Sequence, residues 1–467
     1  MAEYLYSHLE QELKDLILKG QFRSGERMPS IRHLSKQRGI AKSTVLSAYD
    51  RLEADGLIEA RPRSGYFVCT RHEFKTPEVS QPSIEPISAN HLLLDVIQQG
   101  AAFDILPSCA DCLPPDNNDP LKRALSRAQR RQTCREQQYY DDPTGRQDLK
   151  EQLVLHSQLS GIRCQPNDIV ITSGCQHALL LALMATTQAG DVVAVESPGF
   201  YGALQLLQSL GLKVLELPCS SETGLSPEAL ELALQHWDIK AVVVSPAFAT
   251  PTGACMPEEN KKRLLELTAD RGIAVIEDDI YGDLYFSLQR PTSLYSMDTS
   301  GNVILCSSFS KSVSRDLRLG WVIAKNHLEK IQRLKIATSI SSSVTLQQGM
   351  CEFITEGGLA KTLKQKRQQL FLQYQQAKSL VSDYLPMALS CSQPQGGLTM
   401  WLELPKHINT LNLYNQGRDK GVLVTPGNLF SAQNKYENFL RFSFAHPWTE
   451  ARVKGLEKLK GLIEEND

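Results

Sequence analysis

The sequence carries almost no net charge: 50 Lys and Arg against 52 Asp and Glu leave −2 over 467 residues. No global basic field therefore marks a nucleic-acid partner, and any such site must be local. There is no run of eighteen apolar residues, and the opening MAEYLYSHLEQELKDL lacks a basic-then-apolar leader pattern. Those absences argue against a membrane partner and lead us to expect a cytoplasmic protein. Cysteine pairing is sparse as well. Of eleven cysteines only Cys109-Ala-Asp-Cys112 forms a CxxC, with no second pair or nearby histidine. No four-ligand zinc set is completed, no metal is expected, and the cysteines read as unpaired thiols rather than as a metal or redox pair. What remains, 42% apolar and 22% charged residues, is ordinary globular composition at a length that allows two or three domains.

Residues 1–72 read as three helices and a hairpin. Leu5, Leu9, Leu13, Leu16 and Ile17 recur at helical spacing, and Gly20 stops that helix. Pro29-Ser30 opens a second helix carrying Ile31 and Leu34. After the turn Gly39-Ile40-Ala41, Lys42 or Ser43 opens a third, with Val45, Ala48, Tyr49 and Leu52 inward. Leu57-Ile58 and Tyr66-Phe67-Val68 flank the turn Pro62-Arg63-Ser64-Gly65. This is the order of a winged helix-turn-helix. Between Gly20 and Val45 stand six cations (Arg23, Arg27, Arg32, Lys36, Arg38, Lys42) and one carboxylate, Glu26. The start of the third helix, Lys42-Ser43-Thr44, offers N–H groups, hydroxyls and a cation, the groups that hold phosphate and reach base edges. Arg32, Lys42, Ser43 and Thr44, with Arg63 and Gly65 at the wing tip, are the candidate contacts to double-stranded DNA.

Residues 73–95 mix prolines and polar residues without a period and read as an extended tether. From 96 to 345, apolar runs at 168–172, 192–196, 241–245, 273–277 and 303–306 alternate with helical segments. Each ends in a polar cluster: SGCQ, SPGF, SPAFATPTG, EDDIY and SSFSK. Strands buried on both faces with functional loops at their carboxyl ends mark an open α/β, mostly parallel sheet. Residues 346–467 read as a smaller α+β lobe.

Lys311 sits among serines beyond one strand, seven residues before Arg318. Partial burial and the charge of Arg318 would lower its pKa until the amine attacks a carbonyl. Schiff-base capture of pyridoxal 5′-phosphate is the natural outcome, and that cofactor makes further demands. Gly174, Cys175 and Gln176 at a helix start, with Ser308, Ser310 and Arg318, can cradle its phosphate. Phe200 can lie on the ring, Asp278 can hold the pyridine nitrogen protonated, and Tyr281 can reach the ring oxygen. No one of these clusters is diagnostic, but all occur in the expected order along one sheet.

Residues 22–68 resemble the GntR class of winged-helix regulators through Pro29-Ser30-Ile31-Arg32, Thr44-Val45, Ala48-Tyr49 and Gly65-Tyr66-Phe67-Val68. Residues 96–467 resemble the fold type I aminotransferases through Tyr140-Asp-Asp-Pro-Thr-Gly145, Pro251-Thr252-Gly253, Asp278, Tyr281, Ser308 to Lys311, Arg318 and Arg441. The resemblance implies that Tyr140 completes the phosphate site of a partner subunit in a domain-swapped homodimer. It also implies that Arg441 grips a substrate α-carboxylate, a task that suits a bidentate guanidinium. The whole chain is similar in length, order and motifs to the MocR regulators. The implied function is a transcriptional regulator that senses pyridoxal phosphate, an amino acid or an amine. The alternative is an aminotransferase carrying a DNA-binding head. Two departures, Thr250 where many aminotransferases have asparagine and Arg315-Asp316 in place of Pro-Gly, lead us to expect at most slow half-transamination.

Overall fold

The computed structural model describes residues 2–18, 21–22, 25–54, 57–61, 65–68, 91–107 and 119–466. Arg63, Cys109, Cys112 and the helix-stopping Gly20 of the sequence reading lie outside the described residues. The chain forms two compact units, 1–75 and 76–467.

The first unit holds helices Ala2–Leu18, Ile31–Arg38 and Lys42–Ala54, then an antiparallel pair, Ile58–Arg61 with Gly65–Val68. Leu9, Leu13, Ile17, Leu34, Val45, Tyr49, Leu52 and Val68 share one small core. Local chemistry sets the helix-turn-helix. The Ser30 hydroxyl accepts from the His33 N–H at 3.2 Å to cap the second helix, which stops at Gly39 with φ 66°. The Tyr49 hydroxyl donates to the Pro29 carbonyl at 2.7 Å and ties the third helix to the start of the second.

The second unit is built on an eight-stranded sheet. Its order is Ile169–Thr172, Gly320–Ile323, Val303–Ser308, Ala274–Asp278, Ile239–Val244, Val192–Ser197, Lys213–Ser220, Gly224–Leu225. Neighbouring strands from Val303–Ser308 to Lys213–Ser220 run parallel, and Gly320–Ile323 runs antiparallel to both of its neighbours. That inserted strand has consequences: Gly320 lies opposite both Thr172 and Ser308. Its backbone thereby carries Arg318 to the edge where the parallel strands end. A side chain at Gly320 has no room, because a Cβ there would stand 2.6 Å from the Ser307 carbonyl oxygen.

A four-stranded antiparallel sheet, Ser390–Cys391, Thr399–Glu403, Phe439–Ser443 and Thr425–Pro426, forms the smaller lobe. Two boundaries differ from the sequence reading. Residues 91–95, assigned to the tether, begin the helix His91–Gln98, and Leu93, Val96, Ala101, Ala102 and Ile105 are buried in the same cluster as Trp401, Tyr414 and Val424. The stretch 91–107 thus belongs to the smaller lobe, held there by the buried Asp104–Arg452 ion pair and by the Thr425 hydroxyl donating to the Ala101 carbonyl at 2.7 Å. Conversely, helix Val344–Thr355 spans the expected boundary at 346, and its Met350 and Phe353 pack into the core of the large sheet. Polar–apolar alternation could not reveal either exchange, since both segments are helical and only tertiary packing decides which core they serve.

Candidate functional site

The carboxyl edge of the large sheet faces the smaller lobe across a cleft that opens to solvent. Its walls include Phe103, Phe200, Tyr201, Tyr281, Lys311, Arg315 and Arg441. Lys311 lies three residues beyond strand Val303–Ser308 and is half-buried, its Nζ 5.1 Å from the centre of the Phe103 ring. Burial, then the charges of Arg315 and Arg441, push its pKa down to about 7 against the opposing pull of Asp278. The sequence reading gave that influence to Arg318, which is a correction. Arg318 points the other way, and Arg315, four residues after Lys311, faces the amine.

Arg318 belongs to a second cluster. Its guanidinium donates to the Ser310 hydroxyl at 3.5 Å and to the Ser173 carbonyl at 3.3 Å. Gly174, with φ 86°, precedes helix Cys175–Thr186, and a Cβ on it would stand 2.9 Å from Arg318 Nη2. The first-turn N–H groups of that helix have no acceptor inside it. A guanidinium, a serine hydroxyl and a helix N-terminus around a glycine that admits no side chain form an anion cradle, which suits a phosphate. The Ser308 hydroxyl accepts from the Ser310 N–H at 3.3 Å and shapes the turn before Lys311.

Asp278 ends strand Ala274–Asp278 and accepts from the Cys175 thiol at 3.2 Å. Burial raises its carboxyl to about 6, against that hydrogen bond. Its neighbour Asp279 has a different task. Asp279 and Asp283 both bind the buried Arg290, and Asp283 also meets His156 at 2.9 Å. This network fixes the strand end and neutralises Asp279, leaving Asp278 as the carboxylate beside Lys311. Tyr281 is buried, and burial raises its hydroxyl well above the usual tyrosine range despite nearby Arg441.

On the opposite wall Arg441, in strand Phe439–Ser443, is 6% exposed. It donates to the Ala102 carbonyl and to the Thr250 hydroxyl at 3.4 Å, while its Nε is buried without a partner. An orphaned guanidinium N–H beside the cleft calls for an anionic ligand. Tyr201 and Phe430 lie 5.6 and 5.2 Å from this guanidinium, ring centre to Cζ.

Not every expected residue enters the cleft. Tyr140 is 77% exposed and lines none of it. The loop it begins lies against the sheet edge, where the Ile171 N–H donates to the Thr144 carbonyl at 2.8 Å. The Gln176 side chain is engaged elsewhere, donating to the Gly202 carbonyl at 2.8 Å. The sequence reading missed Phe103, Tyr201 and Arg315 as wall residues. Only Arg315 left a trace, as a departure from the family's Pro-Gly.

In the first unit, Arg32, Lys36, Lys42 and Ser43 are exposed and Thr44 is half-buried. Arg38 is ion-paired with Glu12, which removes it from the free cations. Among the described residues, no ion pair involves Arg32, Lys36 or Lys42. Gly65 opens the second hairpin strand with φ 100°. No group of described residues could hold a metal ion, and no described helix is long and apolar enough to cross a membrane.

Comparison with known proteins accounts for both units. Residues 5–68 match the family Bacterial regulatory proteins, gntR family, and residues 110–459 match Aminotransferase class I and II. The uncharacterized HTH-type transcriptional regulator YjiR of Escherichia coli (strain K12) is 37% identical over 464 residues, covering 97% of each chain. The HTH-type transcriptional regulator TauR of Rhodobacter capsulatus is 28% identical over 480 residues, covering 97% of this chain and 96% of its own. Among solved structures, Thermus thermophilus LysN, an alpha-aminoadipate aminotransferase complexed with N-(5′-phosphopyridoxyl)-L-leucine, superposes with a TM-score of 0.73 at 26% identity. That match covers 81% of this chain and 96% of LysN. The chain therefore belongs to the MocR family of transcriptional regulators, in which a GntR-type DNA-binding winged helix is joined to a fold type I aminotransferase domain whose cofactor is pyridoxal phosphate.

Proposed function

We propose that this chain regulates transcription by coupling operator binding to occupancy of the cleft, with Lys311 as the point of cofactor attachment. The observation that carries the assignment is the place of Lys311 in the cleft wall with Arg315 and Arg441, whose charges and burial lower its pKa to about 7 against the pull of Asp278. At neutral pH about half of such amines are uncharged, whereas an ordinary lysine is almost wholly protonated. When bound, pyridoxal phosphate supplies a carbonyl for amine capture and a ring that accepts electron density. Gly174, Ser310 and Arg318 would hold its phosphate, Asp278 its ring nitrogen, Tyr281 its ring oxygen and Phe200 its face. Arg441 would take the α-carboxylate of an amino ligand. Thr250 is bonded to Arg441, so it acts through the carboxylate grip and leaves the ring oxygen to Tyr281.

On the DNA side, Arg32, Lys42, Ser43 and Thr44 would meet phosphates and base edges, with Gly65, and with Arg63 from outside the described residues, at the wing. Leu46, 41% exposed on the same helix, extends this face with an apolar contact suited to a thymine methyl. Exposed Tyr140 fits a role across a subunit boundary, so the working form is a dimer on paired half-sites. A cytoplasmic site of action follows from a DNA target.

The enzymatic reading rests on the presence of Lys311, Asp278 and Arg441 together; with Arg315 crowding the amine we expect at most a slow half-reaction. Borohydride reduction of the cofactor-loaded protein followed by peptide mapping tests the assignment. The adduct is expected on Lys311, with no visible absorbance or trapped cofactor in Lys311→Ala. A trapped adduct on another lysine overturns it. Rapid multiple turnover with 2-oxoglutarate across amino donors, together with operator binding indifferent to cofactor, would instead favour the enzyme.

A further inference from the structure

The cleft holds more positive charge than one carboxylate ligand can use. Arg441 reaches its wall from the smaller lobe, and Arg315 reaches it from the loop after Lys311. Lys366, on the long helix Gly358–Tyr384, feels Arg315, and burial and that charge lower its amine to about 8. His446, next to the wall residue Ala445, is likewise lowered by burial and feels both Arg315 and Lys366. Of the acids that act on Lys311 or Arg315, Asp104 is locked to Arg452 and Asp278 accepts from the Cys175 thiol.

Arg315 itself makes no ion pair and no hydrogen bond among the described residues. Its Cζ sits 4.3 Å from the centre of the Phe103 ring. A guanidinium held over a ring face keeps its N–H groups available to an anion, and a carboxylate can take two of them at once. The phosphate cradle does not use this residue, because Arg318 is the arginine that meets Gly174 and Ser310. A second, unpaired guanidinium therefore faces the same cleft as Arg441.

We propose that the cleft selects an amino acid bearing a second, distal carboxylate, with Arg441 on the α-carboxylate and Arg315 on the distal one. The inference rests on the reading of the cleft as an amino-compound site. It makes Arg315 the residue that sets ligand class. A neutral side chain would leave Arg315 without an anion and gain only contact with Phe103.

Isothermal titration of the cofactor-loaded protein with glutarate and with pentanoate isolates the effect, since the two acids share a five-carbon chain and differ by one carboxylate. Glutarate should bind at least about 10-fold more tightly, the return from one charge-assisted pair. Arg315→Gln should lower the glutarate-to-pentanoate ratio by about 10- to 100-fold, and Arg315→Lys should restore part of it. L-Glutamate and L-norvaline should repeat the ranking. Equal affinity for the two acids, no measurable glutarate binding, or an equal loss for both acids in Arg315→Gln would overturn the inference. The equal-loss result would mean that Arg315 assists Arg441 on a single carboxylate. Absorbance of the bound cofactor in the same samples separates the failures. Retained cofactor without diacid preference removes this inference alone, whereas a wild-type protein that takes up no cofactor removes the functional reading beneath it.

Discussion

Replacing Lys311 with methionine should make the cofactor-free protein more stable. The folded amine sits at about 7 and an ordinary lysine at 10.5. Because the folded value is the depressed one, the unfolded chain binds the proton more tightly, and stability rises with pH between those two values. Each pH unit between them corresponds to about 1.4 kcal/mol, so at pH 7 the buried amine costs up to about 4 kcal/mol relative to a neutral side chain. Its half-buried position reduces that figure, and about 2–3 kcal/mol is the expected gain. Methionine has nearly the same length and packs against Phe103 without a charge to desolvate. Denaturant unfolding of cofactor-free wild type and Lys311→Met at several pH values measures it. The gain should be largest at or below pH 7 and shrink by up to about 1.4 kcal/mol per pH unit toward 10.5. A methionine variant no more stable at pH 7, or a gain that does not change with pH, would refute the electrostatic account of this lysine.

Further outcomes follow from the other clusters. Gly174→Ala puts a Cβ against Arg318 at a positive φ, so it should weaken cofactor binding by about 10-fold or more, read by absorbance titration; unchanged affinity would remove Gly174 from the cradle. Lys42→Ala should weaken binding to unrelated DNA sequences alike and flatten the salt dependence by about one unit. Full operator binding by Arg32→Ala/Lys42→Ala would place the DNA contact elsewhere. Sedimentation should give a dimer, and Tyr140→Phe should lower cofactor affinity in it; a cofactor-saturated monomer would contradict a site completed across subunits.

The strand-end clusters were legible because buried parallel strands leave apolar runs and their polar loops carry the chemistry. Asp278, Tyr281 and Lys311 therefore stood out along the chain, whereas Arg441, in an antiparallel strand of the smaller lobe, was reached only through the family resemblance. What perturbs Lys311 did not stand out. Arg315 and Arg318 look alike in sequence, and only the antiparallel insertion of Gly320–Ile323 shows that Arg318 turns to Gly174 while Arg315 turns to the amine. Phe103 is a lone aromatic after a polar stretch, and its place in the wall depends on 91–107 joining the smaller lobe. Thr250 looked like a shortened ring contact, but its hydroxyl lies with Arg441. Electrostatic neighbours and lobe exchange are long-range properties, and local pattern does not encode them.

The central claim is that occupancy of the Lys311 cleft changes operator affinity. A ligand can do this only through differential binding to two states, and such coupling is typically about 1–3 kcal/mol, or about 5- to 150-fold in affinity. The direct measurement is operator affinity at fixed salt for wild type and Lys311→Ala, each with and without pyridoxal phosphate. The account predicts a shift of at least about 5-fold in wild type and none in Lys311→Ala. Identical wild-type affinity with and without the cofactor would contradict it.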